Sequence, residues 1–160
     1  MAVVPEDSYG SQATFAPLFG EPLHLVCRND DALAGGRDVA RRDIPLDRLM
    51  LMDGLTVPQG LSLPFGPTML RVKSTETLLQ QVVDMRRCTV LPALAARRRC
   101  ERDPNVAMVP IRGGALFRRI GVATRTNCPR IALLEVLCDK VRQSLPAGAA
   151  PRVMATEGAT

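Results

Sequence analysis

Between Leu70 and Ala96 the chain changes its hydrophobic period repeatedly, and this constrains the fold more than any other feature. Leu70-Arg71-Val72 is a short strand-like run. Ser74 then stands where a helix cap is needed, with Glu76 in the first turn, where a carboxylate meets the positive end of the helix dipole. Leu78, Leu79, Val82, Val83 and Met85 recur at helical spacing and define a buried face. Cys88-Thr89-Val90-Leu91 reads as a strand, and Pro92 opens a second, shorter helix through Ala96. Short strands alternating with helices, without internal repeats, predict an α/β fold with a mainly parallel sheet.

The flanking sequence extends this pattern. Residues 1–16 lack periodicity and read as a loose arm. Pro22 to Cys27 is an apolar run stopped by Arg28-Asn29-Asp30-Asp31, as a buried strand entering a turn would be. Gly35-Gly36 and the charged stretch 37–43 mark a loop, Ile44 to Leu49 a single helical turn, and Met50-Leu51-Met52 a strand ended by Asp53-Gly54. Residues 58–67 hold three prolines and two glycines, so a loop is expected. Val106 to Val109 and Ile120 to Thr124 read as strands separated by a Gly113-Gly114 turn. Ile131, Leu134, Leu137, Cys138, Val141 and Leu145 share one face of a helix from about Arg130 to Ser144, and the tail 146–160 is expected to be disordered.

Composition excludes several function classes. Aromatic residues make up 3% of the chain with no Trp, which leaves little for stacking on single-stranded bases. His24 is the one histidine, so zinc sites needing two imidazoles are ruled out, and on an apolar strand it reads as a core or edge residue. Cys27, Cys88, Cys100, Cys128 and Cys138 form no C-x-x-C pair, against a zinc ribbon or thioredoxin motif. Cys88 and Cys138 fall on apolar faces. Cys100 sits among Arg97, Arg98, Arg99 and Arg102, where cations could lower a thiol pKa; an exposed, inert cysteine is the competing reading. The net charge of +5 is carried by 19 arginines, the 21 basic residues less Lys73 and Lys140. Arginine-rich, lysine-poor usage also follows from GC-rich coding, so a nucleic-acid footprint does not follow, and the Arg97 to Arg102 cluster reads as solvated surface. No secretory signal, no membrane-length apolar run and no hydrolase, Walker or dinucleotide motif is present. A cytoplasmic, non-enzymatic chain without cofactor is expected.

Ser74-Thr75-Glu76-Thr77-Leu78-Leu79, a turn, Thr89-Val90-Leu91-Pro92 and Ala93-Leu94-Ala95 together resemble the effector-binding domain of LysR-type transcriptional regulators. Pro17 to Leu23 looks like that family's hinge strand, and Ile120-Gly121-Val122 with the following amphipathic helix like its C-terminal return. With Leu51-Met52-Asp53-Gly54, the combination is most similar to the peroxide-sensing OxyR branch of the family. The resemblance covers about residues 16–145. It implies a periplasmic-binding-protein-like α/β domain, with one lobe (17–117) largely complete and the other represented only by its C-terminal strand and helix (118–145). On that reading the chain is a truncated regulator without the helix-turn-helix, reaching DNA only through a domain absent from it, and its gene is a candidate decayed remnant.

The resemblance also carries expectations for sites. The peroxidatic cysteine of that branch aligns with Thr56, whose hydroxyl cannot form a sulfenic acid. The stretch for the resolving cysteine is shortened and holds no Cys, and Met69 falls where a site histidine is expected. Ser74 and Thr75 sit where the family holds small anions at a helix N-terminus, the plain alternative being an ordinary cap. Arg118 or Arg119 matches a pocket-closing arginine, the alternative being a solvated charge. Ligand binding is therefore expected at Thr56, Ser74, Thr75 and Arg118, with no metal and no redox residue. A family Gly-x-Gly turn becomes Met85-Arg86-Arg87, where each left-handed non-Gly residue would cost roughly 1–2 kcal/mol. Homodimerisation, or pairing with an intact LysR-type regulator, is the partner expectation. The return helix, lacking its own lobe, is expected to expose its Ile131 to Val141 face.

Overall fold

The computed structural model describes residues 2–8, 10, 13–52, 71–112, 116–127, 129 and 131–144. Its strands are β1 (Ala2–Pro5), β2 (Ala13–Arg28), β3 (Leu49–Met52), β4 (Arg71–Val72), β5 (Cys88–Pro92), β6 (Val106–Pro110) and β7 (Phe117–Arg125). Its helices are α1 (Thr75–Asp84), α2 (Ala93–Cys100) and α3 (Ile131–Ser144), with short 3-10 turns at Glu6–Ser8, Ala32–Gly35 and Arg41–Asp43. The loop expected at 58–67, the Gly113-Gly114 turn and the tail lie outside the described residues, as do Thr56, Met69 and Cys128.

The chain divides into two compact units, one of residues 22–117 and one of residues 1–21 with 118–160. In the first, the strand order is β2-β5-β3-β4, with β6 on the other side of β2. β3 runs parallel to both β5 and β4, whereas β2 is antiparallel to β5 and β6. The sheet is thus mixed, which corrects the expectation of a mainly parallel one. α1 links β4 to β5 and α2 links β5 to β6, so β3, β4, β5 and β6 all run the same way; β2 alone runs against them in this unit, and both antiparallel ladders are its own.

Both faces of this sheet are buried, which explains the unbroken apolar run of β2. Leu23, Leu25 and Cys27 point to one side, with Cys88 and Val90 of β5, Leu49 and Leu51 of β3, and Val39 and Ile44 of the irregular segment between β2 and β3. Val26, Met50 and Leu91 point to the other, against Leu78, Leu79 and Val82 of α1 and Ala96 of α2. Each fully buried aliphatic side chain here is worth about 1.5–3 kcal/mol relative to exposure. Met85, expected on the inner face of α1, is exposed because the helix ends one residue before it. α2 continues four residues past Ala96, and the turn read at Ile44 to Leu49 is instead split between Arg41–Asp43 and a hydrogen-bonded turn beginning at Pro45.

The turn after α1 carries its positive φ on Arg86 (50°), not on Met85 (−102°). One left-handed residue is accommodated among the described residues rather than two, and the Arg86 side chain lies 3.6 Å from Asp30.

His24 lies half-buried on β2 opposite Leu91 and Pro110, and its Nδ1 has no hydrogen-bond partner among the described residues. Burial, and secondarily the charge of Arg97, hold its pKa below 6.5. The unfolded chain therefore binds this proton more readily, so stability is full above about pH 6.5 and falls as the pH drops below it. Urea titrations between pH 7.5 and 5 should show this loss, and His24→Gln should remove the histidine's share of the slope. An unchanged slope would rule the effect out.

In the second unit, β7 lies between β1 and β2. β1 pairs antiparallel with β7, Ala2 opposite Ala123 and Pro5 opposite Ile120. Part of the segment expected to be a loose arm is therefore an ordered strand; four residues bounded by a proline leave too short a pattern to read. β2 also begins at Ala13, well before Pro22, despite Pro17 and Gly20 within it. Cys138 and Val141 of α3 pack on Leu18 of β2 and Val122 of β7. Part of the α3 face expected to be exposed is therefore covered, and among the residues whose side chains are described, Leu133, Val136 and Leu137 are large apolar groups left exposed.

Candidate ligand site at the head of α1

The parallel strands β3 and β4 pair Leu51 with Arg71 and Met52 with Val72, so both end at the same edge of the sheet. Chain leaving β4 turns directly into α1, which places the N-terminus of α1 at the carboxyl ends of the parallel strands. That edge is where open α/β sheets most often hold ligands. Ser74 is the N-cap, with extended backbone (φ −118°, ψ 135°) and an Oγ that accepts from the Thr77 N–H at 3.5 Å. Thr75 opens the helix, and its hydroxyl donates to the Met52 thioether at 3.2 Å, joining the ends of α1 and β3.

Glu76 changes the chemistry of this edge. The Ser74 hydroxyl donates to Glu76 Oε2 at 3.0 Å, and Arg99 of α2 pairs with Oε1. Its own backbone N–H, then the Ser74 hydroxyl, then Arg99 hold the Glu76 carboxyl below the usual range. The α1 N-terminus is thus already facing one carboxylate. An incoming anion would have to displace Glu76 toward Arg99.

Arg118 belongs to the other unit. Its Nε donates to Glu21 Oε2 at 2.8 Å and its Nη2 lies 2.7 Å from the same oxygen, with the Glu21 side chain 4% exposed. Arg119 pairs with Glu6 at 3.0 Å. Sequence reasoning missed Glu21; the available signal was a lone carboxylate inside the apolar stretch Leu18 to Leu23.

The described thiols near the sheet are poor nucleophiles. Burial pushes Cys27 up to about 11 and Cys88 up to about 12. Burial, with a smaller contribution from Asp103, also raises Cys100, so the neighbouring arginines do not activate it. Among the described residues no cluster of His, Cys, Asp and Glu could hold a metal, and no helix is long and apolar enough to cross a membrane.

A family model described as the LysR substrate binding domain matches residues 1–146. The chain belongs to the LysR family. Its fold is the periplasmic-binding-protein-like α/β architecture of LysR-type regulatory domains. It is 32% identical over 136 residues to a hydrogen peroxide-inducible genes activator of Pectobacterium carotovorum subsp. carotovorum, a match covering 81% of this chain and 45% of that protein. The chain therefore spans under half the length of that relative. Among solved structures, the oxidised form of Corynebacterium glutamicum OxyR has a TM-score of 0.70 at 24% identity, covering 89% of this chain and 47% of that one. The reduced form of OxyR has a TM-score of 0.68 at 26% identity, covering 88% and 68%. The matched family is one of transcriptional-regulator domains rather than of enzymes.

Proposed function

We propose that this chain is the effector-binding part of an OxyR-like LysR-family transcriptional regulator, with its ligand edge at Ser74 and Thr75, and that it does not sense peroxide through a thiol. The observation that carries the reading is the placement of the Ser74 cap and the Thr75 hydroxyl at the common carboxyl end of β3 and β4. Thr56, a few residues beyond β3 in sequence, is the third expected contact; it lies outside the described residues. The proposal rests on the unit of residues 22–117 alone and assigns no joint site with Arg118. Absence of peroxide chemistry is supported by Thr56 at the peroxidatic position and by the raised pKa of Cys27, Cys88 and Cys100. Contact with DNA is left to a helix-turn-helix domain, as the resemblance implies, and not to the arginines of this one.

A panel of small anions (sulfate, phosphate, acetate, benzoate) should contain at least one that raises the Tm in proportion to occupancy, by roughly 2.7 kcal/mol of stabilisation at a hundredfold excess over Kd. Ser74→Ala should lower the baseline by about 1 kcal/mol through loss of the cap, and should also abolish the anion increment. Glu76→Gln should enlarge the increment by removing the competing charge. No increment with any anion, or an increment indifferent to both substitutions, would defeat the reading. A second reading, a module that pairs with a copy of itself or with a LysR-type regulator, is favoured by the exposed Leu133, Val136 and Leu137 on α3.

A further inference from the structure

β2 and β5 carry a pair of cysteines that the ligand edge does not use. The antiparallel register sets Leu25 opposite Val90 and Val26 opposite Thr89. One step further along the same ladder brings Cys27 opposite Cys88. Both are fully buried, and both belong to the cluster that Leu23, Leu25 and Val90 form on one face of the sheet. Directly opposed residues of an antiparallel pair have Cα atoms about 4.5–5.5 Å apart. Disulfides span about 4.4–6.8 Å between Cα atoms. Backbone placement therefore meets the covalent requirement without moving either strand.

We propose that Cys27 and Cys88 are a latent dithiol, reduced in the resting protein, which a low-molecular-weight disulfide converts into a cross-strand bond tying β2 to β5. In the first step the thiolate of one cysteine attacks the oxidant, breaking its S–S bond, forming a mixed disulfide and releasing one small thiol. The second cysteine, as thiolate, then attacks the mixed disulfide, closes the Cys27–Cys88 bond and releases the second small thiol. The protein loses two hydrogens and two electrons, and the oxidant becomes two thiols.

The setting also fixes the tempo. Burial holds both thiols well above their ordinary range, so the native state carries very little thiolate at neutral pH, and burial also blocks approach. Reaction therefore proceeds through local opening of the β2–β5 ladder and answers prolonged oxidation rather than a brief pulse. Cys100, only partly buried, lies at the end of helix α2 and packs against the opposite face of the sheet from Cys27 and Cys88.

The test incubates the purified chain with glutathione buffers of rising oxidised-to-reduced ratio, with and without sub-denaturing urea, followed by alkylation and peptide mass mapping. A linked peptide joining Cys27 to Cys88 is expected, forming at least tenfold faster in urea and retained in Cys100→Ser. Closing a loop of this length should raise the Tm of the oxidised form by roughly 5–10 °C. Full alkylation of both residues after prolonged oxidation in urea would overturn the proposal, as would a linkage from either residue to Cys100 or Cys128 in place of the paired product.

Discussion

Gly121→Ala is expected to lower the Tm by roughly 6–12 °C and to loosen the unit formed by β1, β7, the first half of β2 and α3. A Cβ at position 121 would lie 2.4 Å from the Ala16 carbonyl oxygen and 2.4 Å from Cζ of Phe15, distances that real Cβ atoms essentially never show. Phe15 can swing its ring aside. Ala16 presents backbone, and moving it means parting β2 from β7. Overpacking typically costs about 1–3 kcal/mol, and backbone as the obstacle puts this site at the upper end, about 3 kcal/mol; each kcal/mol is worth roughly 2–4 °C in a chain of this size. Gly121 also lies opposite Val4, so a displaced β7 pulls on β1 as well. Circular dichroism melts of Gly121→Ala and of Gly121→Ala with Phe15→Ala check the cause. The second change should recover only a minor part of the loss, because the carbonyl contact remains. Full rescue, or a Tm within 2 °C of the parent for Gly121→Ala alone, would contradict it.

Arg118→Met is expected to cost about 2–3 kcal/mol. Removing one member of a buried ion pair costs up to about 3–5 kcal/mol, the full figure applying where the remaining charge loses all compensation. Here the Arg118 side chain is 28% exposed and Glu21 only 4%, so water partly screens the pair and the lower figure is appropriate. The asymmetry gives the test its form. Arg118→Met takes the guanidinium away from a nearly buried carboxylate, whereas Glu21→Gln with Arg118 intact keeps a hydrogen-bond acceptor and should cost less. Glu21→Leu combined with Arg118→Met should recover most of the stability, because an apolar pair of similar volume needs no partner. Additive losses in the urea-unfolding cycle would show that the two side chains do not act together.

Legibility in the sequence followed the range of the interactions involved. Ser74, Glu76 and the Leu78, Leu79 and Val82 face announce α1 because capping and helical spacing act over a few residues. β5 and the start of α2, just after its N-cap Pro92, are readable for the same reason. β1 was not, since Ala2–Pro5 becomes a strand only through β7, more than a hundred residues away. The direction of β2 relative to β5 and β6 was equally hidden, because an apolar run buried on both faces looks the same in either orientation. At the ligand edge, Ser74 and Thr75 were legible as hydroxyls at a helix start, but the carboxylate facing that start is set by Arg99, 23 residues further on. Glu21 with Arg118 and the crowding at Gly121 likewise depend on which strands become neighbours.

The pairing of Ala2–Pro5 with β7 also has a kinetic meaning. The unit of residues 22–117 is continuous in sequence, and its strand pairings span shorter separations, the longest joining His24 to Pro110, than the pairing of Ala2 with Ala123. The other unit cannot form until residues near 2 and near 123 are brought together, a closure whose entropy grows with the intervening length. Low contact order favours the continuous unit as the first to fold. During synthesis, β1 would wait unpaired until β7 clears the ribosome, so the exposed edge of this protein is at greatest risk of wrong pairing before the chain is finished rather than after.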